Sequence, residues 1–188
     1  MDFITLKTER LLLRDHVPDD LPSHHLLLSD AKTMYYLPEI KTESIKQSKE
    51  DLDEAILDIG KALRTKYFLR MEDINTKELI GEIGYTVTAF TPLGKLVELG
   101  YFIHQKHWSK GYTTEALREL MRFAFAENDV YRISTGCLTE NGGSEKVMIK
   151  CGMIKEANLK MKVYHDGKLK DRVEYRMLRD EWLAAHPA

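Results

Sequence analysis

One α/β domain, with a mixed sheet flanked by helices, is the fold class that the 188-residue sequence predicts, and three observations carry it. Short runs of strand-like apolar residues alternate with amphipathic segments of helical period. Turn signals fall both in hairpin positions and at strand-to-helix junctions, so the sheet needs antiparallel and parallel neighbours. No repeat, low-complexity stretch or shift in composition marks an interior boundary, so residues 1–188 read as one domain.

The elements follow in order. Ile4 to Arg14, with its run LLLR, suits one buried strand. Pro18, Pro22 and Pro38 punctuate the next stretch, and His24 to Leu28 reads as a short helix between them. From Ser44 to Leu63, the residues Leu52, Ala55, Ile56, Ile59 and Leu63 recur at helical spacing and predict an amphipathic helix. Tyr67 to Met71 and Glu78 to Ala89 form a hairpin across the turn signal Asn75-Thr76-Lys77. After the Pro92/Gly94 turn, Val97 to His104 is a further strand. Thr113 to Glu127 places Leu117, Leu120, Met121 and Ala124 on one helix face. Arg132 to Leu138 is a strand, and Ser144 to Cys151 a short helix with Gly152 just past its end. Met153 to Val163 and Arg172 to Leu178 pair as a hairpin, with Asp166-Gly167 in the turn.

Composition excludes several classes of function. At 43% hydrophobic and 31% charged, the chain is an ordinary globular protein able to bury a sizeable core. Twenty-eight basic against 30 acidic residues, net −2, argues against a nucleic-acid binder. The two cysteines, Cys137 and Cys151, make neither a disulfide framework nor a CxxC pair, which points to a reducing cytoplasm. Lys7, Glu9, Arg10 and Arg14 break up any apolar signal-peptide core near the start. The longest uncharged stretch, Ile83 to Gly94, is too short and too polar to cross a bilayer, so no membrane partner is expected.

Chemistry concentrates in Glu98 to Ala116, ELGYFIHQKHWSKGYTTEA. It reads as a strand, a tight turn around Ser109-Lys110-Gly111, and a helix start. Such a junction presents unpaired N–H groups and the positive end of a helix dipole, which suits a phosphate or pyrophosphate. Gly111 would permit close backbone approach, Lys110 adds charge, and Thr113 and Thr114 add hydroxyl donors. The segment is neither a P-loop nor a GxGxxG fingerprint. No metal is expected: His24-His25 and His104/His107 come with no companion cysteine or carboxylate pattern. Cys137 reads as core, and the acids Glu43, Glu50, Asp51, Asp53, Glu54 and Asp58 as the solvated face of the second helix.

Four stretches, in order, resemble one family. TERLLLR at Thr8 to Arg14, ELGYFI at Glu98 to Ile103, WSKGYTTEAL at Trp108 to Leu117 and NGGSEKVMIKCGM at Asn141 to Met153 look like the RimJ/RimL-type branch of the GNAT acyltransferases. That branch usually reads TERLxLR, EIGYWI, WGKGYATEA and NxxSxxVxEKxGF. The closing Asp166 to Trp182 is similar as well. The resemblance implies the GNAT fold, a mixed and mostly antiparallel sheet splayed in its middle. It also implies acetyl-CoA as donor and an amine as acceptor. Thr113 stands where the superfamily has glycine or alanine, and Ser109 where the branch has glycine. Backbone donation survives both changes, so cofactor affinity is expected to change without being lost.

The resemblance also implies roles. Glu98 would be the general base, acting through a water, although a strand glutamate can equally be a solvated residue or an ion-pair partner. Backbone N–H groups around Phe102 and Ile103 would hold the pantetheine arm. Trp108 would contact the cofactor, and Ser109, Lys110, Gly111, Tyr112, Thr113 and Thr114 would hold the pyrophosphate. Asn141 would contact the cofactor or start the next helix, and Lys146 could reach a phosphate. Met148 stands where many relatives carry a tyrosine acid. Ser144 could instead donate to the leaving sulfur, its plainer role being a helix N-cap. The acceptor is a protein N-terminal α-amine, or a polyamine, amino acid or antibiotic. The alternative function is a non-catalytic acyl-CoA-binding module. Oligomeric state stays open, a homodimer included.

Overall fold

The computed structural model describes residues 3–187. Strands β1 (Thr5–Lys7) and β2 (Leu11–Asp15) precede helices α1 (Leu21–Leu28) and α2 (Ile45–Ile59). Strands β3 (Lys66–Asp73), β4 (Leu79–Thr91) and β5 (Gly94–Ile103) lead to α3 (Tyr112–Ala126) and β6 (Val130–Leu138). Helix α4 (Gly142–Lys150), strands β7 (Ile154–His165) and β8 (Lys168–Leu178) and helix α5 (Arg179–Ala185) complete the chain. Hydrogen bonding orders the strands β1-β2-β3-β4-β5-β6-β8-β7, and β5 and β6 are parallel within an otherwise antiparallel pattern. This is the mixed, mostly antiparallel α/β sheet expected. Contacts divide the chain into two compact units, one of the residues up to Thr86 with Gly100–Glu119, the other of Val87–Leu99 with everything from Leu120.

In the first unit, β2 sends Leu11 and Leu13 inward and leaves Leu12 and Arg14 half-buried, the alternation of a strand with one core face. The expected single strand over Ile4 to Arg14 is instead a hairpin, with Leu6 opposite Leu13. Thr8 N–H closes the turn on the Leu11 carbonyl at 2.9 Å, and Glu115 accepts from both Thr8 Oγ1 and Arg10 N–H. A side chain 105 positions further on thus takes the Arg10 N–H that a continuous strand would give to a ladder. Below the sheet's buried face lie Leu27, Leu28 and Leu52, and Tyr67 stacks on Tyr85 at 4.8 Å. Asp15 and Arg64 form a buried two-point ion pair at 2.9 and 2.5 Å. Ile4 N–H also donates to Asp15 and Arg64 Nε to the Lys66 carbonyl, so the buried charges are hydrogen-bonded as well as paired.

Helix α2 begins at the predicted Ser44, whose hydroxyl accepts from Gln47 N–H, but ends at Ile59. Leu63 lies outside it, 72% exposed. The cause is Asp58, which is buried and accepts from the backbone N–H groups of Thr65 and Lys66 at 2.7 and 2.6 Å, turning the chain into β3. The solvated-face reading therefore holds for Glu50, Asp53 and Glu54 and fails for Asp58.

In the second unit, the parallel register runs from Lys95↔Val130 to Glu98↔Ser134. β8 pairs with β6 on one side and β7 on the other. The β7–β8 turn has φ +49° at Asp166 and +74° at Gly167, the two left-handed residues that the Asp-Gly signal predicts. Gly152 follows α4 at φ +76°, with Met153 N–H bonded to the Met148 carbonyl and Gly152 N–H to that of Ile149. Helix α5 was not expected from the sequence. It has no buried residue and is anchored where Trp182 lies 5.7 Å from the Phe125 ring.

Candidate active site

The loop between β5 and α3 belongs to the first unit. Ser109 has φ +59° and Gly111 φ +83°, so the chain makes two left-handed steps before the helix begins at Tyr112. The serine at position 109 occupies a conformation that favours glycine, the residue expected there from the resemblance. Trp108 donates its indole N–H to the Ile103 carbonyl at 3.0 Å and is otherwise 45% exposed. Lys110 and Gly111 are exposed, Tyr112 and Thr114 half-buried, and Thr113 buried. The turn and the start of a 15-residue helix thus leave an exposed stretch of backbone with positive partial charge.

What holds this loop in place was not read from the sequence. Glu115, in the first turn of α3, accepts from Thr8 Oγ1 at 2.6 Å, Arg10 N–H at 2.8 Å and Arg10 Nε at 2.7 Å. Burial opposes the charge on Glu115, but Thr8 and Arg10 hold its pKa below the ordinary carboxylate value. Arg10 also donates to the Lys110 carbonyl at 3.0 Å, and its guanidinium lies 4.5 Å over the Tyr112 ring. The signal was present as the TER and TEA segments, but nothing in spacing alone pairs them. His107, one of the histidines first weighed as metal ligands, is buried with its ring edge-on to Tyr112 at 5.8 Å. Burial lowers its pKa, with Glu78 opposing, which favours the neutral ring.

Glu98, Asn141, Ser144 and Lys146 belong to the second unit. Glu98 lies on β5 with its side chain 49% exposed and Arg172 Nη2 at 3.9 Å. Burial and the Glu174 carboxylate raise its pKa above the ordinary value, and Arg172 and Arg132 offset part of the rise. A carboxyl raised toward neutrality is a better proton acceptor. The ion-pair reading is also met, at the loose distance of Arg172. Asn141 caps α4, its Oδ1 accepting from Ser144 N–H at 3.2 Å. Ser144 is therefore not the N-cap. It is the third residue of the helix, because helix geometry starts at Gly142. Its hydroxyl is hydrogen-bonded to the Cys137 thiol, and that thiol lies 3.7 Å from the Asn141 carbonyl. Cys137 is buried, and burial raises its pKa, as expected of a core cysteine. Met148 is wholly buried, and Lys146 is exposed. Asn141→Ala is expected to cost about 1 kcal/mol of stability, the usual loss for a removed cap. Ser144→Ala should cost far less, and thermal unfolding of both variants checks the pair.

The strand order and the glycine-bearing turn into α3 define the class of fold, a mixed α/β sheet with an exposed turn at a helix start. The family follows from likeness to known proteins. The family described as "Acetyltransferase (GNAT) domain" matches residues 10–154. The uncharacterized N-acetyltransferase YoaA of Bacillus subtilis (strain 168) is 30% identical over 94% of this chain and 98% of its own. Spermidine N-acetyltransferase from Vibrio cholerae, solved with CoA and spermine, aligns at TM-score 0.80 and 22% identity over 94% of this chain and 99% of that one. Ribosomal-protein-S5-alanine acetyltransferase from Vibrio fischeri aligns at TM-score 0.83 and 19% identity over 95% and 98%. The chain belongs to the GNAT acetyltransferase family, and the protein is an N-acetyltransferase with acetyl-CoA as donor and an amine as acceptor. Among the described residues, no helix is long and apolar enough to cross a membrane.

Proposed function

We propose that residues 1–188 form a single acetyltransferase domain that works in the cytoplasm and acetylates a primary amine, foremost the α-amine of a protein N-terminus. The family match crosses both compact units, which supports one domain. The carrying observation is the turn with left-handed Ser109 and Gly111 at the start of α3, pinned through Arg10 and Glu115. It fits a pyrophosphate: exposed backbone, a helix N-terminus and the cationic Lys110.

In this reading, Trp108 to Thr114 bind the cofactor's phosphates, and backbone N–H groups at Phe102 and Ile103 hold its pantetheine arm. Asn141 orders the start of α4, and Lys146 offers a further cation. When bound, acetyl-CoA supplies an acetyl group activated as a thioester. Glu98 takes the proton from the acceptor ammonium, directly or through a water. Ser144 presents a hydroxyl as donor to the departing sulfur, in place of the tyrosine that Met148 replaces. An α-amine has an ordinary pKa of about 8 against about 10.4 for lysine, so it needs less help from a single carboxylate near neutral pH.

The likeness to a ribosomal-protein acetyltransferase supports a protein N-terminus, and that to a spermidine acetyltransferase keeps a polyamine as the second reading. A homodimer is proposed with either. The test is acetyl-CoA with a panel of peptides, polyamines and amino acids, read as released CoA, alongside thermal unfolding. Acetyl-CoA should raise the melting temperature by mass action, and one amine class should release CoA. A raised melting temperature without release for any amine would make the protein an acyl-CoA-binding module.

A further inference from the structure

The first unit holds a buried cluster that contains none of the residues given a role above. His16 follows β2, His24 lies on α1 and Glu82 on β4, with side chains 1%, 1% and 9% exposed. Glu82 stands between the two rings: His24 Nδ1 is 2.6 Å from its Oε1 and His16 Nε2 3.7 Å from its Oε2. One ligand atom from each of the three lies within 4.8 Å of the others. The absence of a carboxylate beside His24, expected from the sequence, is corrected here: Glu82 is 58 positions away in the chain and reaches it through the fold.

Two further observations point to an ion. Both ring nitrogens of His16 are buried with no hydrogen-bond partner, although buried polar atoms are ordinarily satisfied. Each imidazole also has a second carboxylate behind it. His24 Nε2 lies 2.9 Å from Asp51 Oδ2, and His16 Nδ1 lies 3.6 Å from Asp20 Oδ2, itself held by Arg14 Nη1 at 2.8 Å. Metal-bound histidines are backed by an N–H on a carboxylate that fixes the ring; His24 has that partner at hydrogen-bond distance, and Asp20 stands within reach of His16.

The geometry points to a divalent metal site, of the kind that takes zinc, held by His16 Nε2, His24 Nδ1 and Glu82, with Asp20 and Asp51 orienting the imidazoles. Two nitrogens and a carboxylate oxygen suit zinc by ligand chemistry. Zinc bonds of about 2.0–2.2 Å would set these ligand atoms about 3.3 Å apart, so Glu82 withdraws slightly from His24 while His16 closes in. The ion would tie α1 to β2 and β4 within this unit. The competing occupant is a proton. Burial alone would lower the His24 pKa, but Glu82 and Asp51 outweigh it and push it up to about 10.

The chain is stripped with a chelator, titrated with zinc chloride near neutral pH, and its retained metal counted by mass spectrometry after gel filtration. One zinc per chain is expected, with a raised melting temperature. Cobalt chloride should give the visible absorption of a tetrahedral site. His16→Gln should weaken zinc binding by about 100-fold or more, and Asp51→Asn by about 10–100-fold, the usual effect of removing a partner behind a ligand. Asp51 is 49% exposed, so Asp51→Asn should still fold, and it keeps the test open if His16→Gln does not. No retained zinc, or equal retention by parent and Asp51→Asn, overturns the site and leaves the proton on His24.

Discussion

Glu98→Gln is expected to slow acetyl transfer by about 10²–10⁴-fold near neutral pH, the range for a removed general base. The deficit should shrink as pH rises, because more of the acceptor amine is already deprotonated. Steady-state CoA release from pH 6 to 10 measures this; a loss of constant size at every pH would make Glu98 a positioning group, and no loss would remove it from the mechanism. Stability gives an independent reading. Burial raises the Glu98 pKa, so the folded chain holds this proton more tightly than the unfolded chain does. Its contribution to stability therefore falls as pH climbs from the unfolded carboxyl pKa through the folded one, and the charged form is carried at a cost above both. Glu98→Gln removes that charge at constant size, so its melting temperature near neutral pH should match or exceed the parent's. A slow enzyme that is no less stable separates a catalytic carboxylate from a structural one.

The second large effect is expected at Gly111. Its φ of +83° is open to glycine and strained for any β-branched residue. A Cβ there would also stand 3.4 Å from Arg10 Nη2, close to the guanidinium that steadies the Lys110 carbonyl. Gly111→Val should weaken acetyl-CoA binding by about tenfold or more, since about 1–3 kcal/mol of backbone strain must be borne or relieved by moving the loop. Calorimetric titration with acetyl-CoA checks the value. Gly111→Ala, with less bulk at the same φ, should fall between. Unchanged affinity in the valine variant would place the phosphates elsewhere.

Most of the fold was legible because its signals are local. The helix Tyr112–Ala126 and the strand Val130–Leu138 lie within two residues of their predicted bounds, and Asp166-Gly167 has the two left-handed residues its turn needs. Errors cluster where a distant side chain takes over a backbone donor. Glu115 folds Thr8 to Arg10 into a turn, and Asp58 ends α2 by capturing the start of β3. Asn141 displaces Ser144 from the cap, a choice between two good capping residues that depends on where the first helical residue falls.

The candidate site divides in the same way. The loop at Ser109 to Thr114 announces itself by glycine, charge and the helix that follows, all within one stretch of chain, and its motifs carry the family with them. The clamp between Arg10 and Glu115, the raised pKa of Glu98 and the cluster at His16, His24 and Glu82 do not. Each is a relation between residues far apart in sequence, set by which strands lie side by side. By itself, the sequence determined the class of fold, the position of the glycine-bearing turn before α3 and the acyltransferase family, because helical period, turn chemistry and short motifs act over a few residues. Only the tertiary structure decided which charges are buried together, because the burial and pairing that shift a pKa or assemble a ligand set depend on distances in space that chain spacing does not encode.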